Sequence, residues 1–157
     1  MNQILKCGIV GYGYMGEIRK KVIDLNDQLE LVGVVETDVG RVEKLSGIRI
    51  FTQFDDMLNA QTDLDIIFVC TPNVYAPEIA MKSMNKGLHV FCEKPPGKNL
   101  EDVKQMILVE KKNSDIKLMF GFNHRFHPAV IKAKAIVNSG NLGKIIALRG
   151  LYGKSGG

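Results

Sequence analysis

Three glycines near the amino terminus have the spacing of a phosphate-binding loop. Gly11, Gly13 and Gly16 form Gly-x-Gly-x-x-Gly directly after a short apolar run and at the start of a helical pattern. In that context the first glycine permits a tight turn, the second lets the backbone approach a pyrophosphate, and the third lets helix and strand pack closely. Backbone N–H groups at the helix start then face the anion. The loop therefore predicts a dinucleotide site, against the alternative of a glycine-rich turn that binds nothing.

An acidic residue follows at the distance that such a site requires. Glu36 ends a valine-rich run about 20 residues after Gly16, where a carboxylate accepts a hydrogen bond from the ribose 2′-hydroxyl of NAD. The same charge repels the 2′-phosphate of NADP, and no arginine or lysine follows before Arg41. Asp38 is a second candidate for the ribose contact, and an exposed strand-end charge is the simpler alternative for Glu36. These residues predict NAD rather than NADP as the cofactor.

A lysine follows another apolar run. Phe91 and Cys92 lead into Glu93 and Lys94, and two prolines then fix the turn. A lysine at the carboxyl edge of a sheet is partly desolvated, which favours proton transfer near neutral pH, and its ammonium can hold a substrate hydroxyl. A plain Glu-Lys pair in a loop explains the same residues equally well.

The polar segment Thr71-Pro72-Asn73 follows the apolar run of residues 64–70. Ligands of open α/β sheets lie beyond the carboxyl ends of the strands. Thr71 and Asn73 are therefore candidates for lining the dinucleotide crevice, and an ordinary turn is an equally good interpretation.

The elements that must position these residues alternate along the chain. Near-continuous apolar runs predict strands buried on both faces. They lie at residues 7–10, 29–35, 64–70, 89–92 and 118–122, and a last strand is predicted at residues 144–151. Helical patterns fill the gaps, and the first of them presents one apolar face formed by Met15, Ile18, Val22 and Leu25. Alternating strands and helices with short connections predict an α/β fold with a doubly wound parallel sheet, the Rossmann fold.

Composition excludes several classes of partner. The chain has 157 residues, 45% of them apolar, and a net charge of +4. The basic clusters Arg19-Lys20-Lys21 and Lys111-Lys112 contain no interleaved aromatic residues, so we interpret them as solvated helix faces and expect no nucleic-acid partner. No apolar run approaches the roughly 20 residues that span a bilayer, and we expect no membrane partner.

The cysteines and the amino terminus indicate a cytoplasmic protein. Cys7, Cys70 and Cys92 each lie in an apolar run, and their odd number and spacing argue against a disulfide framework or a zinc site. We expect three buried free thiols. Residues 1–6 lead directly into a strand and lack the regions of a signal peptide.

The motifs together resemble the amino-terminal domain of the Gfo/Idh/MocA family, named after glucose-fructose oxidoreductase, inositol dehydrogenase and a rhizopine-catabolism protein. The resemblance extends over about residues 4–151. The segments that carry it are residues 8–16, 71–73, 89–95, 121–126 and 140–145. The Glu-Lys-Pro at a strand end, combined with the glycine loop, is its most specific part.

The resemblance implies roles for individual residues. Lys94 matches the catalytic lysine, which holds the substrate hydroxyl and assists proton transfer, and the peptide bond before Pro95 is often cis in the family. Glu93 matches a residue beside the nicotinamide riboside, and Asn123 and Arg125 match positions near the nicotinamide. The predicted cofactor-binding residues are Gly11, Tyr12, Gly13, Tyr14, Met15, Gly16, Glu36, Thr37, Thr71, Pro72, Asn73, Glu93, Lys94, Asn123 and Arg125. No metal ligand is predicted.

The resemblance also implies a domain organisation. Residues 1–143 correspond to the dinucleotide-binding domain, and residues 144–157 correspond to the start of a second α/β domain that is otherwise absent. That domain supplies the substrate pocket in the family. We therefore expect this chain to bind NAD without efficient turnover, and the full-length protein to form a homo-oligomer. Members commonly have a histidine where this chain has Ala76, which removes one cofactor contact.

The sequence thus predicts the cofactor-binding half of an NAD-dependent oxidoreductase. The enzyme would transfer a hydride between nicotinamide and a secondary hydroxyl or ketone of a sugar, a polyol or a nucleotide-linked sugar. A non-catalytic, stand-alone NAD-binding module is the main alternative, and the intact Glu93-Lys94-Pro95 argues against it. An NADP-linked reductase resembling biliverdin reductase conflicts with Glu36.

Overall fold

A parallel sheet of six strands organises the first part of the chain, within residues 3–60, 63–151 and 153 that the computed structural model describes. The strands are β1 (Leu5–Val10), β2 (Leu29–Val35), β3 (Arg49–Phe51), β4 (Ile66–Val69), β5 (His89–Cys92) and β6 (Leu118–Phe120). Their order is β3-β2-β1-β4-β5-β6, and every neighbouring pair is parallel. The predicted doubly wound sheet is confirmed. The direction of winding reverses between β1 and β4, where such sheets bind ligands.

Five helices accompany the strands in the described part of the chain. They are α1 (Tyr14–Asp24), α2 (Phe54–Ala60), α3 (Ala76–Asn85), α4 (Leu100–Lys112) and α5 (Pro128–Asn138). The side chain of Asn99 accepts a hydrogen bond from the backbone N–H of Asp102 at 2.9 Å, which caps α4. The chain divides into two compact units: the first extends to Gly121, and the second, which contains α5, begins at Phe122. None of the helices within these described ranges is long and apolar enough to cross a membrane.

Apolar residues cover both faces of the sheet. One buried cluster packs strand residues such as Ile67 against Met84 of α3 and Met106 of α4. The other packs Ile9 and Val34 against Ile23 of α1. Each fully buried aliphatic side chain of this kind stabilises the fold by about 1.5–3 kcal/mol. Burial on both faces explains why the strand sequences are continuous apolar runs rather than alternating ones.

The buried face of α1 differs from the predicted one. Of the predicted face, Met15 and Ile18 are half-buried, but Val22 and Leu25 are 47% and 87% exposed. The fully buried residues of α1 are Gly16 and Ile23. Gly16 lies so close to the backbone of Gly11 that this contact fixes the rotation of the helix about its axis. The buried face therefore follows the glycine contact and matches the apolar repeat of the sequence only in part.

The same rotation corrects the interpretation of the basic cluster on α1. Arg19 lies on the buried face, and only 12% of its side chain is exposed. Lys21 is exposed, as predicted, and Lys20 forms an ion pair with Asp24 at 2.6 Å. Arg19 is therefore not part of a solvated face.

Two further predictions about secondary structure are corrected. Residues 144–151 contain no strand, because a strand requires a hydrogen-bonded neighbour and the described residues of the second unit provide none. The short elements β3 and α2, of three and seven residues, were not predicted from the sequence. The remainder of the predicted second domain, at residues 152 and 154–157, lies outside the described residues.

All three cysteines are free, as expected. Cys7 and Cys92 are buried in the sheet, and Cys70 is half-buried at the end of β4. Burial is the main cause that raises the pKa of each thiol to about 12. At neutral pH they are protonated apolar groups of the core and are poor nucleophiles.

Candidate functional site

The glycine loop has the geometry that the motif predicts. Gly11 follows β1 with a φ of +89°, a left-handed conformation that favours glycine. A Cβ on Gly11 would stand 3.0 Å from the backbone of Cys70 and Thr71, so the loop contacts the end of β4. A Cβ on Gly16 would stand 2.4 Å from the carbonyl oxygen of Gly11, which no side chain tolerates. The amino-terminal turn of α1 is therefore held directly against the end of β1.

Glu36 lies at the end of β2, and backbone donors hold its carboxylate. The N–H of Tyr12 donates to Oε2 at 2.7 Å, and the N–H of Asp38 donates to Oε1 at 3.0 Å. Burial favours a higher pKa for Glu36, but these donors together outweigh it, and the pKa lies below its ordinary value. Glu36 is thus a carboxylate at neutral pH. It can accept hydrogen bonds from a ribose and repel an additional phosphate.

A cavity of about 1030 Å³ connects these groups at the carboxyl ends of β1, β2 and β4. Of the predicted cofactor residues, its wall includes Gly11, Gly13, Tyr14, Met15, Glu36, Thr37, Thr71 and Pro72. Phe54 and Ile79 add apolar surface on the side of α2 and α3. The structure therefore brings together residues from three separate segments of the sequence, as the prediction requires.

Two observations show that the cavity fits a dinucleotide. Gly13 has no side chain on the cavity side of the loop, where a Cβ would stand 3.1 Å from Nη1 of the cavity-lining Arg41, so a phosphate can approach the backbone there. The hydroxyl oxygen of Thr71 is buried and has no hydrogen-bond partner within the described chain. A buried hydroxyl without a partner is unfavourable, and a polar ligand in the cavity would satisfy it.

Seven predicted residues are not among those that line the cavity: Tyr12, Gly16, Asn73, Glu93, Lys94, Asn123 and Arg125. The side chain of Tyr12 is buried in the core, which raises its pKa, and only its backbone N–H contacts Glu36. Asn73 donates through Nδ2 to the carbonyl oxygen of Gly97 at 3.3 Å, which connects the loops after β4 and β5. Glu93 and Lys94 lie in the second of these loops, one strand further along the sheet.

Arg41 lies closer to the site than its position in the sequence indicates. It lines the cavity, its Nε donates to Asp38 at 3.2 Å, and its Nη1 lies 3.1 Å from where a Cβ on Gly13 would stand. A cation is therefore available beside the ribose end of the site. Exclusion of a 2′-phosphate must then depend on the negative charge of Glu36 and not on the absence of a cation.

Replacing Glu36 with glutamine tests this electrostatic exclusion. The amide keeps an oxygen acceptor and removes only the charge, so we expect NADPH affinity to rise and NADH affinity to fall. The ratio of the two dissociation constants should move toward NADPH by about tenfold, the size of one charged hydrogen bond. Fluorescence titration with each reduced nucleotide measures the ratio. Glu43→Gln, an exposed change on the same segment, is the control, and an unaltered ratio in Glu36→Gln would contradict the assignment.

The Glu93-Lys94-Pro95 turn extends β5 at the same edge of the sheet. The peptide bond between Lys94 and Pro95 is cis, as the resemblance implied. Glu93 is buried, whereas Lys94 is exposed. The described residues therefore do not provide the shielding from solvent that the sequence had led us to expect for Lys94. Within those residues no carboxylate forms an ion pair with Lys94. Glu93 and Lys94 therefore form no ion pair with each other in the described residues, and a chemical role for Lys94 stays a prediction.

Glu93 instead pairs with Arg19, which the sequence analysis missed. Nε of Arg19 donates to Oε1 of Glu93 at 2.7 Å, and Nη2 forms a second, shorter contact with the same oxygen. The guanidinium also lies over the ring of Phe91, 4.5 Å from its centroid. Local sequence contains no signal for this pair, because its members are 74 residues apart.

The remaining predicted residues belong to the second unit. Asn123 and Arg125 lie in a 3-10 turn at Asn123–Phe126, and both are exposed. The turn is followed by His127, whose Nδ1 accepts a hydrogen bond from the N–H of Ala129 at 3.2 Å and caps α5. The role of Asn123 and Arg125 beside the nicotinamide stays a prediction.

Comparison with protein families agrees with this geometry. A family model described as an oxidoreductase family with an NAD-binding Rossmann fold, Gfo/Idh/MocA, matches residues 5–122. That range contains the glycine loop, Glu36, Thr71 and the Glu93-Lys94-Pro95 turn. The predicted resemblance is confirmed, and so is NAD as the cofactor of the domain.

Individual relatives are similar to the chain in sequence, and two solved structures with NAD(H) or NADH bound share its fold. Inositol 2-dehydrogenase of Corynebacterium glutamicum is 26% identical, and the match covers 97% of this chain but 46% of that protein. The structure of scyllo-inositol dehydrogenase from Lactobacillus casei with NAD(H) and scyllo-inositol is 29% identical, with a TM-score of 0.82 over 90% of this chain and 43% of that one. The WlbA dehydrogenase from Bordetella pertussis, in complex with NADH and UDP-GlcNAcA, is 26% identical, with a TM-score of 0.84 over 92% of this chain and 42% of that one. The chain thus spans less than half the length of these relatives.

Proposed function

Because the chain belongs to the Gfo/Idh/MocA family of oxidoreductases with an NAD-binding Rossmann fold, we propose that it is the cofactor-binding half of an NAD-dependent dehydrogenase. The enzyme would act on a carbon that bears a secondary hydroxyl. NAD, when bound, supplies the nicotinamide ring that accepts a hydride from this carbon. The observation that carries the proposal is an exposed Lys94, without an ion-pair partner in the described chain, one strand away from the cavity that Glu36 and Thr71 line.

The residues of the chain have separate tasks in this proposal. The loop from Gly11 to Gly16 holds the phosphates through backbone N–H groups, and Glu36 accepts hydrogen bonds from the adenosine ribose. Thr71 donates its free hydroxyl to the cofactor. Lys94 holds the substrate hydroxyl and assists removal of its proton, and Glu93 contacts the nicotinamide end. For Asn123 and Arg125, a role near the nicotinamide rests on the family resemblance alone.

The relatives support a proposal for the substrate class. The printed names of the similar proteins include inositol dehydrogenases and a dehydrogenase solved with a UDP-linked sugar acid. Both kinds of ligand carry secondary hydroxyls on a six-membered ring. We propose a substrate of the same chemistry, which is a cyclic polyol, a sugar or a nucleotide-linked sugar. In the complete protein, residues 144–157 would begin the domain that selects among them.

Oxidation of candidate substrates by the complete protein tests the proposal. We expect NADH to accumulate with one of three groups: inositol isomers, free sugars or UDP-linked sugars. Primary alcohols of similar size provide the negative control. Tight NADH binding without any NAD reduction across the three groups would contradict a dehydrogenase and favour the non-catalytic NAD-binding module.

A further inference from the structure

The pair formed by Arg19 and Glu93 lies between two functional parts of the fold. Arg19 is one helical turn beyond Gly16, on the helix whose amino terminus forms the phosphate loop. Glu93 directly follows β5 and directly precedes Lys94. The ion pair therefore connects the phosphate-binding helix α1 with the turn that carries the proposed catalytic lysine.

Both side chains of the pair are largely buried. Only 12% of the Arg19 side chain and 8% of the Glu93 side chain are exposed. Phe91 lies under the guanidinium, and a Cβ on Gly121 would stand 2.8 Å from Oε2 of Glu93. Glycine at position 121 thus leaves room for the carboxylate at the end of β6. These surroundings hold the carboxylate of Glu93 in one position.

Stability alone does not account for such a pair. Two charges lose their hydration on burial, and apolar residues of similar volume commonly stabilise a fold as well or better. What the pair provides is a defined orientation, because two nitrogens of a planar guanidinium contact one carboxylate oxygen. It also occupies the carboxylate nearest in sequence to Lys94, whose ammonium is then left for another partner.

We propose that Arg19 is a positioning residue for the nicotinamide end of the cofactor. It holds the carboxylate of Glu93, and through it the turn at Lys94, in the orientation that receives the nicotinamide riboside. This inference rests on the proposed function, which places Glu93 and Lys94 at that end of the cofactor. Arg19 itself acts only through Glu93.

Comparison of NADH with ADP isolates this role. ADP shares the adenosine and both phosphates of NADH and lacks the nicotinamide riboside, so the ratio of their affinities reports that riboside. In Arg19→Met we expect NADH to bind about tenfold more weakly, the size of one lost charged contact, while ADP affinity is nearly unchanged. Calorimetric titration of the purified chain with each nucleotide measures the ratio, and Lys21→Met on the exposed face of α1 is the matched control.

Two further variants separate positioning from folding. Arg19→Met alone leaves a buried, unpaired carboxylate, whereas Arg19→Met combined with Glu93→Gln removes both charges and should fold stably. If Arg19 acts through Glu93, the ratio of NADH affinity to ADP affinity is reduced equally in the double and the single variant. The second substitution then causes no further loss of NADH affinity. Arg19→Lys should recover part of the ratio, because it restores a charge without the planar fork.

The outcomes distinguish a positioning role of Arg19 from a purely structural one. The pair would have a structural role only if Arg19→Met weakened the binding of NADH and of ADP equally. The same would follow if the double variant had the wild-type ratio of NADH affinity to ADP affinity. A wild-type chain that binds ADP and NADH equally would contradict both the inference and the assignment of Glu93 to the riboside. A wild-type chain that binds neither nucleotide would overturn the proposed function itself.

Discussion

Replacement of Lys94 by methionine should lower turnover of the complete protein by about 10²- to 10⁴-fold, the usual contribution of a positioned acid–base group. Methionine keeps most of the length of the side chain and removes the ammonium that would hold the substrate hydroxyl. Because Lys94 is exposed and has no ion-pair partner in the described residues, its loss should leave stability and NADH affinity almost unaltered.

Steady-state kinetics and an NADH titration on the same preparation measure the two effects separately. Lys98→Met is the matched control, since Lys98 is an exposed lysine in the same loop. It should retain full turnover. If Lys94→Met also turned over normally, Lys94 would have no chemical role, and the assignment of this turn as a catalytic element would be wrong.

Replacement of Gly16 by valine should abolish NADH binding. Its Cβ would stand 2.4 Å from the carbonyl oxygen of Gly11, a backbone atom that cannot rotate away. The amino terminus of α1 must therefore move outward from β1, which removes the N–H groups from the phosphates and costs about 1–3 kcal/mol of stability through overpacking. We expect NADH affinity to fall by more than about 100-fold, because several phosphate contacts are lost together.

The same substitution at Gly150 is the control, because a Cβ there meets no atom within 4 Å. Calorimetry measures binding, and thermal unfolding shows whether the variant is folded. A folded Gly16→Val chain with normal NADH affinity would show that the phosphates are not held at the amino terminus of α1.

Much of the site was predictable because its signals are local. Glycine spacing, the acidic residue after β2 and the lysine after β5 each lie within a few residues of the strand end that positions them. The continuous apolar runs that identify β1, β2, β4 and β5 reflect burial on both faces. These features require no knowledge of the tertiary contacts.

What could not be predicted depends on contacts between distant segments. The contact of Gly16 with Gly11 orients α1, so the apolar repeat identified only part of the buried face: Met15 and Ile18 are half-buried. Arg19 appeared to belong to a solvated basic cluster because its partner Glu93 is 74 residues away. The short strand β3 escaped notice because its residues are mostly exposed at the edge of the sheet.

We expect NAD to bind in the cavity bounded by the glycine loop, Glu36 and Thr71. The most direct test is to titrate the isotopically labelled chain with NADH and follow the backbone amide signals by NMR. We expect saturation at one NADH per chain, with the largest shifts at residues 11–16, 36–38 and 71. Absence of saturable binding, or shifts confined to another part of the chain, would contradict the claim.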